Sequence, residues 1–231
     1  MKSSVIIFPG SNCDRDMDVA LKKFGFKNKM IWHKDSELPK SDLIVIPGGF
    51  SYGDYLRCGA IARFSPVMRA VEEFAEQGGL VYGICNGFQI LCESGLLPGV
   101  LIRNESLQFR CEWANLRIEH STSPFTNAGI KGQILRVPIS HGEGNYHADA
   151  KTIAALEDSG RVLFRYSTGD GVINSEANPN GSINNIAGIT NERRNVLGMM
   201  PHPERCCESV VGGEDGKIIF QSLVNHALTG A

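Results

Sequence analysis

With 231 residues, 42% of them apolar and 21% charged, the chain is long enough to bury a full core and has a globular rather than a disordered or fibrous balance. A formal net charge of −2 and a pI near 6.3 exclude a general attraction to nucleic acid or anionic membrane. Seven cysteines without a C-x-x-C pair, behind a first apolar run too short for a signal peptide or membrane span, argue against a disulfide framework or zinc centre and predict a reducing, cytoplasmic setting.

Apolar β-type runs alternate with helical patterns from the start, which predicts an α/β protein: a mostly parallel twisted sheet flanked by helices, as one domain over 1–231. Val5 to Phe8 is the first strand, closed by Pro9-Gly10. Met17, Ala20, Leu21 and Phe24 repeat at helical spacing, and Gly25 ends that helix. Lys29 to Trp32 and Leu43 to Ile46 are the next strands, the latter apolar throughout, as in a strand buried on both faces. It runs into Pro47-Gly48-Gly49-Phe50-Ser51-Tyr52-Gly53-Asp54, a glycine-rich loop at the edge where open α/β sheets place ligands. This loop is not G-x-G-x-x-G, so a dinucleotide site is not supported. Val67, Ala70, Val71, Phe74 and Ala75 mark a further helix.

Leu80 to Leu91 is the stretch with chemistry in it. An apolar strand ends at Gly83, Cys85 sits in the turn, and a helical pattern starts at once, giving a G-x-[nucleophile]-x-G elbow with a thiol in place of a hydroxyl. Gly83 and Gly87 remove Cβ atoms that would collide in so tight a turn. The first turn of the following helix offers partial positive charge and free N–H groups to a developing negative charge. The Asn86 N–H would point at an oxyanion, and Gly49, with no side chain in front of its N–H, would supply a second donor. Gln89, about one helical turn on, lies on the side of Cys85 and is either a surface residue or a substrate contact. Taken alone, Cys85 reads equally well as a buried small hydrophobe.

From about Val100 to Tyr166 the helical period weakens. Leu116-Arg117-Ile118 and Ile134 to Ile139 predict an antiparallel extension, followed by a loop from Ser140 to His147. His141, Glu143 and His147 fit no standard metal spacing, so no metal is expected. Gly169 to Asn185 reads as a flexible surface excursion. Ile186 to Ile189 and Val196 to Met200 form a closing hairpin, and the last helix presents Phe220, Leu223, Val224, Ala227 and Leu228 as an apolar stripe. Gly212 to Ile218 lacks the spacing of a phosphate loop.

Between them lies Pro201-His202-Pro203-Glu204. Prolines on both sides stiffen the segment, and in an extended backbone His202 and Glu204 project together, so the carboxylate can hold one ring nitrogen while the other faces a thiol. A rigid turn with a surface imidazole is the alternative. Together with Cys85, the segment completes a Cys-His-Glu set.

Gly83-Ile84-Cys85-Asn86-Gly87-Phe88-Gln89, Pro47-Gly48-Gly49 and Pro201-His202-Pro203-Glu204 resemble the class I, triad-type glutamine amidotransferases, a flavodoxin-like fold. Pro9-Gly10-Ser11-Asn12-Cys13-Asp14, the run from Gly48 to Arg63 and His141-Gly142-Glu143-Gly144 are similar to the glutaminase-subunit family of phosphoribosylformylglycinamidine synthases. The resemblance implies Cys85 as nucleophile, His202 as acid/base, Glu204 as its orienting carboxylate, and Gly49 and Asn86 as the oxyanion hole. It assigns Gln89, Ser140, His141 and Gly142 to glutamine binding. It further implies that ammonia passes to a large ATP-dependent synthetase subunit, with a small bridging subunit, in purine synthesis. ATP and magnesium would then be bound by that partner and no cofactor by this chain. Rival readings are a glutaminase subunit for another acceptor, a stand-alone thiol hydrolase of γ-glutamyl compounds, and a catalytically silent binding subunit.

Overall fold

A computed structural model describes residues 1–229, so the last two residues of the domain expected over 1–231 lie outside the described residues. The chain runs β1 (Lys2–Ile7), α1 (Asp14–Lys23), β2 (Lys27–Trp32), β3 (Leu43–Ile46), α2 (Pro66–Glu76), β4 (Leu80–Ile84) and α3 (Asn86–Glu93). Then follow β5 (Val100–Ile102), β6 (Arg110–Ile118), β7 (Ile134–His141), β8 (Asn145–His147), α4 (Ala150–Asp158) and β9 (Val162–Ser167). β10 (Ile186–Thr190), β11 (Val196–Met199) and α5 (Lys217–Thr229) complete the described residues.

Nine strands form one mixed sheet in the order β2-β1-β3-β4-β11-β10-β9-β6-β7, and β5 pairs separately with β8. The first five of that order are parallel and the rest are joined antiparallel, as the patterning predicts. β3 and β4 are buried on both faces, which is why Leu43–Ile46 and Leu80–Ile84 carry no polar side chain beyond the Tyr82 hydroxyl. That hydroxyl donates to Met199 Sδ at 3.1 Å. The carboxyl ends of β3, β4 and β11 therefore lie side by side in the middle of the sheet, where the site forms.

Four expectations change. α4 and β9 lie inside the stretch read as losing its pattern. α4 buries only Leu156, too little for a visible stripe, although Asp149 caps it by accepting from Thr152 N at 2.8 Å. β9 is interior to the sheet and mostly apolar, so it does not alternate. Ser140 and His141 belong to β7, not to a loop. The segment from Gly169 to Asn185 is not a free excursion: Asn180, Ser182 and Asn185 are buried, and Asn180 donates to Gly144 O at 2.8 Å while its own carbonyl takes Glu105 N at 3.0 Å. At the C-terminal helix, Phe220 and Leu223 are buried as expected, whereas Ala227 and Leu228 are exposed.

Candidate active site

β4 stops at Ile84 and α3 begins at Asn86, so Cys85 alone makes the turn. It does so at φ 52°, ψ −107°, a conformation that a non-glycine residue keeps only where its surroundings impose it. The surroundings are visible. Cys85 N donates to Met199 O at 2.8 Å, and its carbonyl takes Gln89 N at 3.2 Å. A Cβ at Gly87 would lie 1.9 Å from Ile46 O, so β3 is packed hard against the first turn of α3. The strained elbow thus holds its sulfur at the carboxyl edge of the sheet, 3.6 Å from Ser140 O at the end of β7.

His202 reaches the same place from after β11. Its N–H donates to Pro138 O at 2.8 Å, and its ring Nδ1 lies 2.7 Å from Glu204 Oε1. The backbone there differs from the extended path expected: His202 has φ −108°, ψ 81°, and Pro203–Arg205 is a 3-10 turn. The turn folds the carboxylate back to the ring. It is held by the Pro203 carbonyl, which accepts from the Cys206 and Cys207 thiols at 3.6 and 3.1 Å and which a Cβ at Gly216 would approach to 2.0 Å. Burial pushes the Cys207 thiol up to about 12, so it stays a neutral donor.

Both side chains of the pair are buried, at 1% and 0% exposure, and His202 Nε2 makes no hydrogen bond. Burial opposes a charge on the imidazole. Negative charge on Glu204 and then on Cys85 outweighs it and holds the ring well above its ordinary value. An imidazolium with a free Nε2–H beside a thiol is the arrangement a thiolate nucleophile and a general acid need.

Cys85, His202, Gly49 and Ser140 line one cavity of about 50 Å³, room for a carboxamide and not for a whole amino acid. A larger hollow of about 490 Å³ against Leu38, Pro39 and Phe74 holds neither thiol nor imidazole. Gly49, at φ 144°, is pressed against the chain at Ser11 and Asn12, where a Cβ would lie 2.8 Å from Asn12 N. Among the described residues no backbone acceptor takes the N–H of Gly49 or of Asn86. The Asn86 side chain ties the two donors together, because its Oδ1 accepts from Ser51 N at 3.0 Å.

The glutamine-binding assignments fare differently. Gln89 does not line the cavity. Its amide takes a hydrogen from Asn86 Nδ2 at 2.9 Å and donates to Glu143 O at 2.7 Å, which locks α3 to the turn after β7. The His141 ring also turns away. Nδ1 donates to Asn104 Oδ1 at 3.2 Å, Asn180 Nδ2 lies 3.5 Å from Nε2, and burial followed by the His202 charge lowers its pKa to about 3. Gly142 O accepts from Asn104 N at 2.9 Å. Of this group only the Ser140 backbone faces the sulfur. Four lining residues carry no assignment from the sequence: Asn12, Cys13, Phe50 and Arg205. Asn12 and Cys13 fall within the Pro9–Asp14 motif, and Arg205 directly follows Glu204, so position in a motif was the available signal.

The CobB/CobQ-like glutamine amidotransferase domain matches residues 1–214. The chain belongs to the glutamine amidotransferases. Within this family it is 58% identical over 223 residues to the phosphoribosylformylglycinamidine synthase subunit PurQ of Salinibacter ruber, covering 96% of this chain and 95% of that protein. The protein of the same name from Synechococcus elongatus is 60% identical over 225 residues, 97% and 98% of the two chains. Among solved structures, a chain of PurLQS from Thermotoga maritima superposes with a TM-score of 0.87 at 45% identity, covering 98% of each. A glutamine amidotransferase from Thermotoga maritima, 14% identical with a TM-score of 0.57 over 99% and 92% of the chains, shares the fold alone. In this chain the elbow follows β4, in the parallel half of the sheet, and Ser140, which faces its sulfur, belongs to β7 in the antiparallel half.

Proposed function

We propose that this chain is the glutaminase subunit of a phosphoribosylformylglycinamidine synthase, releasing ammonia from glutamine through Cys85, His202 and Glu204. The observation that carries the reading is the meeting, in one small cavity, of a strained cysteine and an imidazole whose far nitrogen is held by a buried carboxylate while the near one is unpaired. Glutamine enters with its side-chain amide in the cavity. Cys85 Sγ adds to the amide carbon, and the N–H groups of Gly49 and Asn86 take the oxyanion. His202 protonates the departing nitrogen, ammonia leaves, and a γ-glutamyl thioester remains on Cys85. Water, deprotonated by the now neutral His202, hydrolyses the thioester to glutamate and restores the thiol. Gln89 and His141 act as positioning residues, and Ser140 and Gly142 present backbone to the substrate.

Free ammonia in neutral water is mostly protonated and not nucleophilic, so it passes directly to a second active site. That site belongs to an ATP-dependent synthetase subunit, which binds ATP and magnesium and aminates formylglycinamide ribonucleotide, with a small bridging subunit between the two. The relatives named for this synthase support that acceptor over another. We place the protein in the cytoplasm as one domain: all seven cysteines are unpaired, and no helix among the described residues is long and apolar enough to cross a membrane.

The test mixes the chain with synthetase and bridging subunits, ATP, magnesium, formylglycinamide ribonucleotide and amide-labelled glutamine. Label in the amidine product is the expected result. Label released only as ammonia would refute the acceptor, and label retained on glutamine would refute the glutaminase.

A further inference from the structure

Tyr52 has no part in the reaction above and does not line its cavity, yet it stands in the same glycine loop as the Gly49 donor. It opens a strained run: Tyr52, Gly53 and Asp54 have φ of 55°, 68° and 56°, and Leu56 follows at 70°. A non-glycine residue keeps that left-handed conformation only where its surroundings impose it. Backbone bonds hold the loop on the Gly49 side, with Phe50 N donating to Gly10 O at 3.0 Å, Tyr52 N to Pro9 O at 2.6 Å and Gly53 N to Phe50 O at 2.8 Å. The side chain is anchored too. Tyr52 Oη lies 2.7 Å from His33 Nδ1 and 2.8 Å from Ser65 Oγ.

Both partners are committed to that hydroxyl. His33 is buried, and its Nε2 has no partner among the described residues, so the hydrogen bonds of the ring are those on Nδ1. Burial, and then Lys34, lower its pKa and keep the ring neutral. Ser65 is the N-cap of α2, where a serine hydroxyl ordinarily accepts from the first turn; here it makes no such bond and turns to Tyr52. Val67 N donates to His33 O at 3.2 Å, so the end of β2 and the start of α2 form one mount for the tyrosine.

We propose that Tyr52, clamped by His33 and Ser65, is a positioning residue that holds the left-handed run and through it aims the Gly49 N–H at the oxyanion. This role rests on the glutaminase reading above. Released from the clamp, residues 52–54 would relax toward right-handed φ, and the peptides back to Gly49 would turn with them. Ser51 N, which donates to Asn86 Oδ1 at 3.0 Å, lies in the same span, so one clamp sets both oxyanion donors.

Tyr52→Phe keeps the ring and removes the hydroxyl, and it orphans neither partner, because His33 Nδ1 and Ser65 Oγ lie 3.3 Å apart. In the reconstituted complex it should lower kcat for glutamine-dependent synthesis about tenfold or more, keep KM for glutamine within about twofold and spare ammonia-dependent synthesis. Alkylation of Cys85 by iodoacetamide, read by mass spectrometry, displaces iodide and builds no oxyanion, so its rate should match wild type. His33→Asn, whose amide can meet the hydroxyl where Nδ1 does, should keep most of the turnover. His33→Leu should fall as Tyr52→Phe does, and the double variant no further. A Tyr52→Phe kcat within about twofold of wild type, a change confined to KM, or alkylation slowed as much as turnover would each overturn the assignment. If Tyr52→Phe does not fold, the two His33 variants decide, and equal turnover in them would overturn it. Should wild type release no ammonia from glutamine, the reaction proposed above would fail, and this role with it.

Discussion

Acid should loosen the active-site strand through His141, and the size of the effect follows from its surroundings. The ring is 3% exposed, packs on Gly144, where a Cβ would lie 2.4 Å from its Cε1, and is fixed as a neutral donor at Nδ1. A proton on Nε2 would point at the Asn180 amide, itself a donor, 3.5 Å away. Burial, and then the charge of His202, lower the folded pKa from 6.5 to about 3. Below 6.5 the unfolded chain takes up a proton that the folded chain refuses, so stability falls with pH between those two values by about 1.4 kcal/mol per unit. By pH 5 the loss is about 2 kcal/mol. Urea unfolding at half-unit steps from pH 7.5 to 4, on wild type and His141→Asn, isolates it, since carboxylates contribute equally to both. The variant keeps an N–H donor toward Asn104. It should be less stable at neutral pH, with the wild-type curve converging on it as pH falls. Parallel curves would mean that His141 accepts a proton in the folded state, and the account of the network around it would be wrong.

His202 has the opposite sign. Burial works against its charge, Glu204 and Cys85 work for it, and the raised value keeps the imidazolium until pH passes well above 6.5. Stability from that charge is complete below 6.5 and is lost on the alkaline side, and glutaminase kcat should fall there too. Glu204→Gln should lower kcat on the order of a hundredfold or more and move the alkaline limb to lower pH, read from pH–rate profiles. An unshifted limb would remove Glu204 from the mechanism. Cys85→Ala should abolish glutamine-dependent synthesis and spare the ammonia-dependent reaction of the complex; loss of both would point to assembly. Gly87→Ala drives a Cβ to 1.9 Å from Ile46 O and should cost about 3 kcal/mol or more, seen as a lower urea midpoint. A midpoint within error of wild type would refute the packing described for the elbow.

What the sequence reveals of this site is what side-chain identity dictates. Cys85 between glycines and His202 two residues from Glu204 are legible because their chemistry needs those residue types at that spacing. The parallel strands are legible because burial on both faces leaves unbroken apolar runs at Leu43–Ile46 and Val196–Met199. Where a polar residue serves the fold through hydrogen bonds to backbone, its type says little. Gln89, Asn86, Asn104 and Asn180 each hold a different turn, and none of them differs in type from an exposed amide. The same cause explains why 169–185 reads as loose: its glycines and asparagines look like surface linker, while Asn180 and Ser182 fill a polar interior where apolar periodicity has no meaning.

These buried amides bear on function as well as on prediction. Asn86 joins the glycine loop to α3 through Ser51 N, Gln89 joins α3 to the turn after β7 through Glu143 O, and Asn104 joins that turn to the His141 strand end through His141 O and Gly144 N. All three segments around Cys85 are therefore linked by amide side chains, each bond being worth about 1 kcal/mol net. Breaking one bond should shift the others. Gln89→Leu, which keeps the bulk and removes both bonds, should thus lower kcat more than it raises KM, because it displaces the Asn86 and Ser140 backbones and not a substrate contact. A change confined to KM would restore Gln89 to direct contact with glutamine.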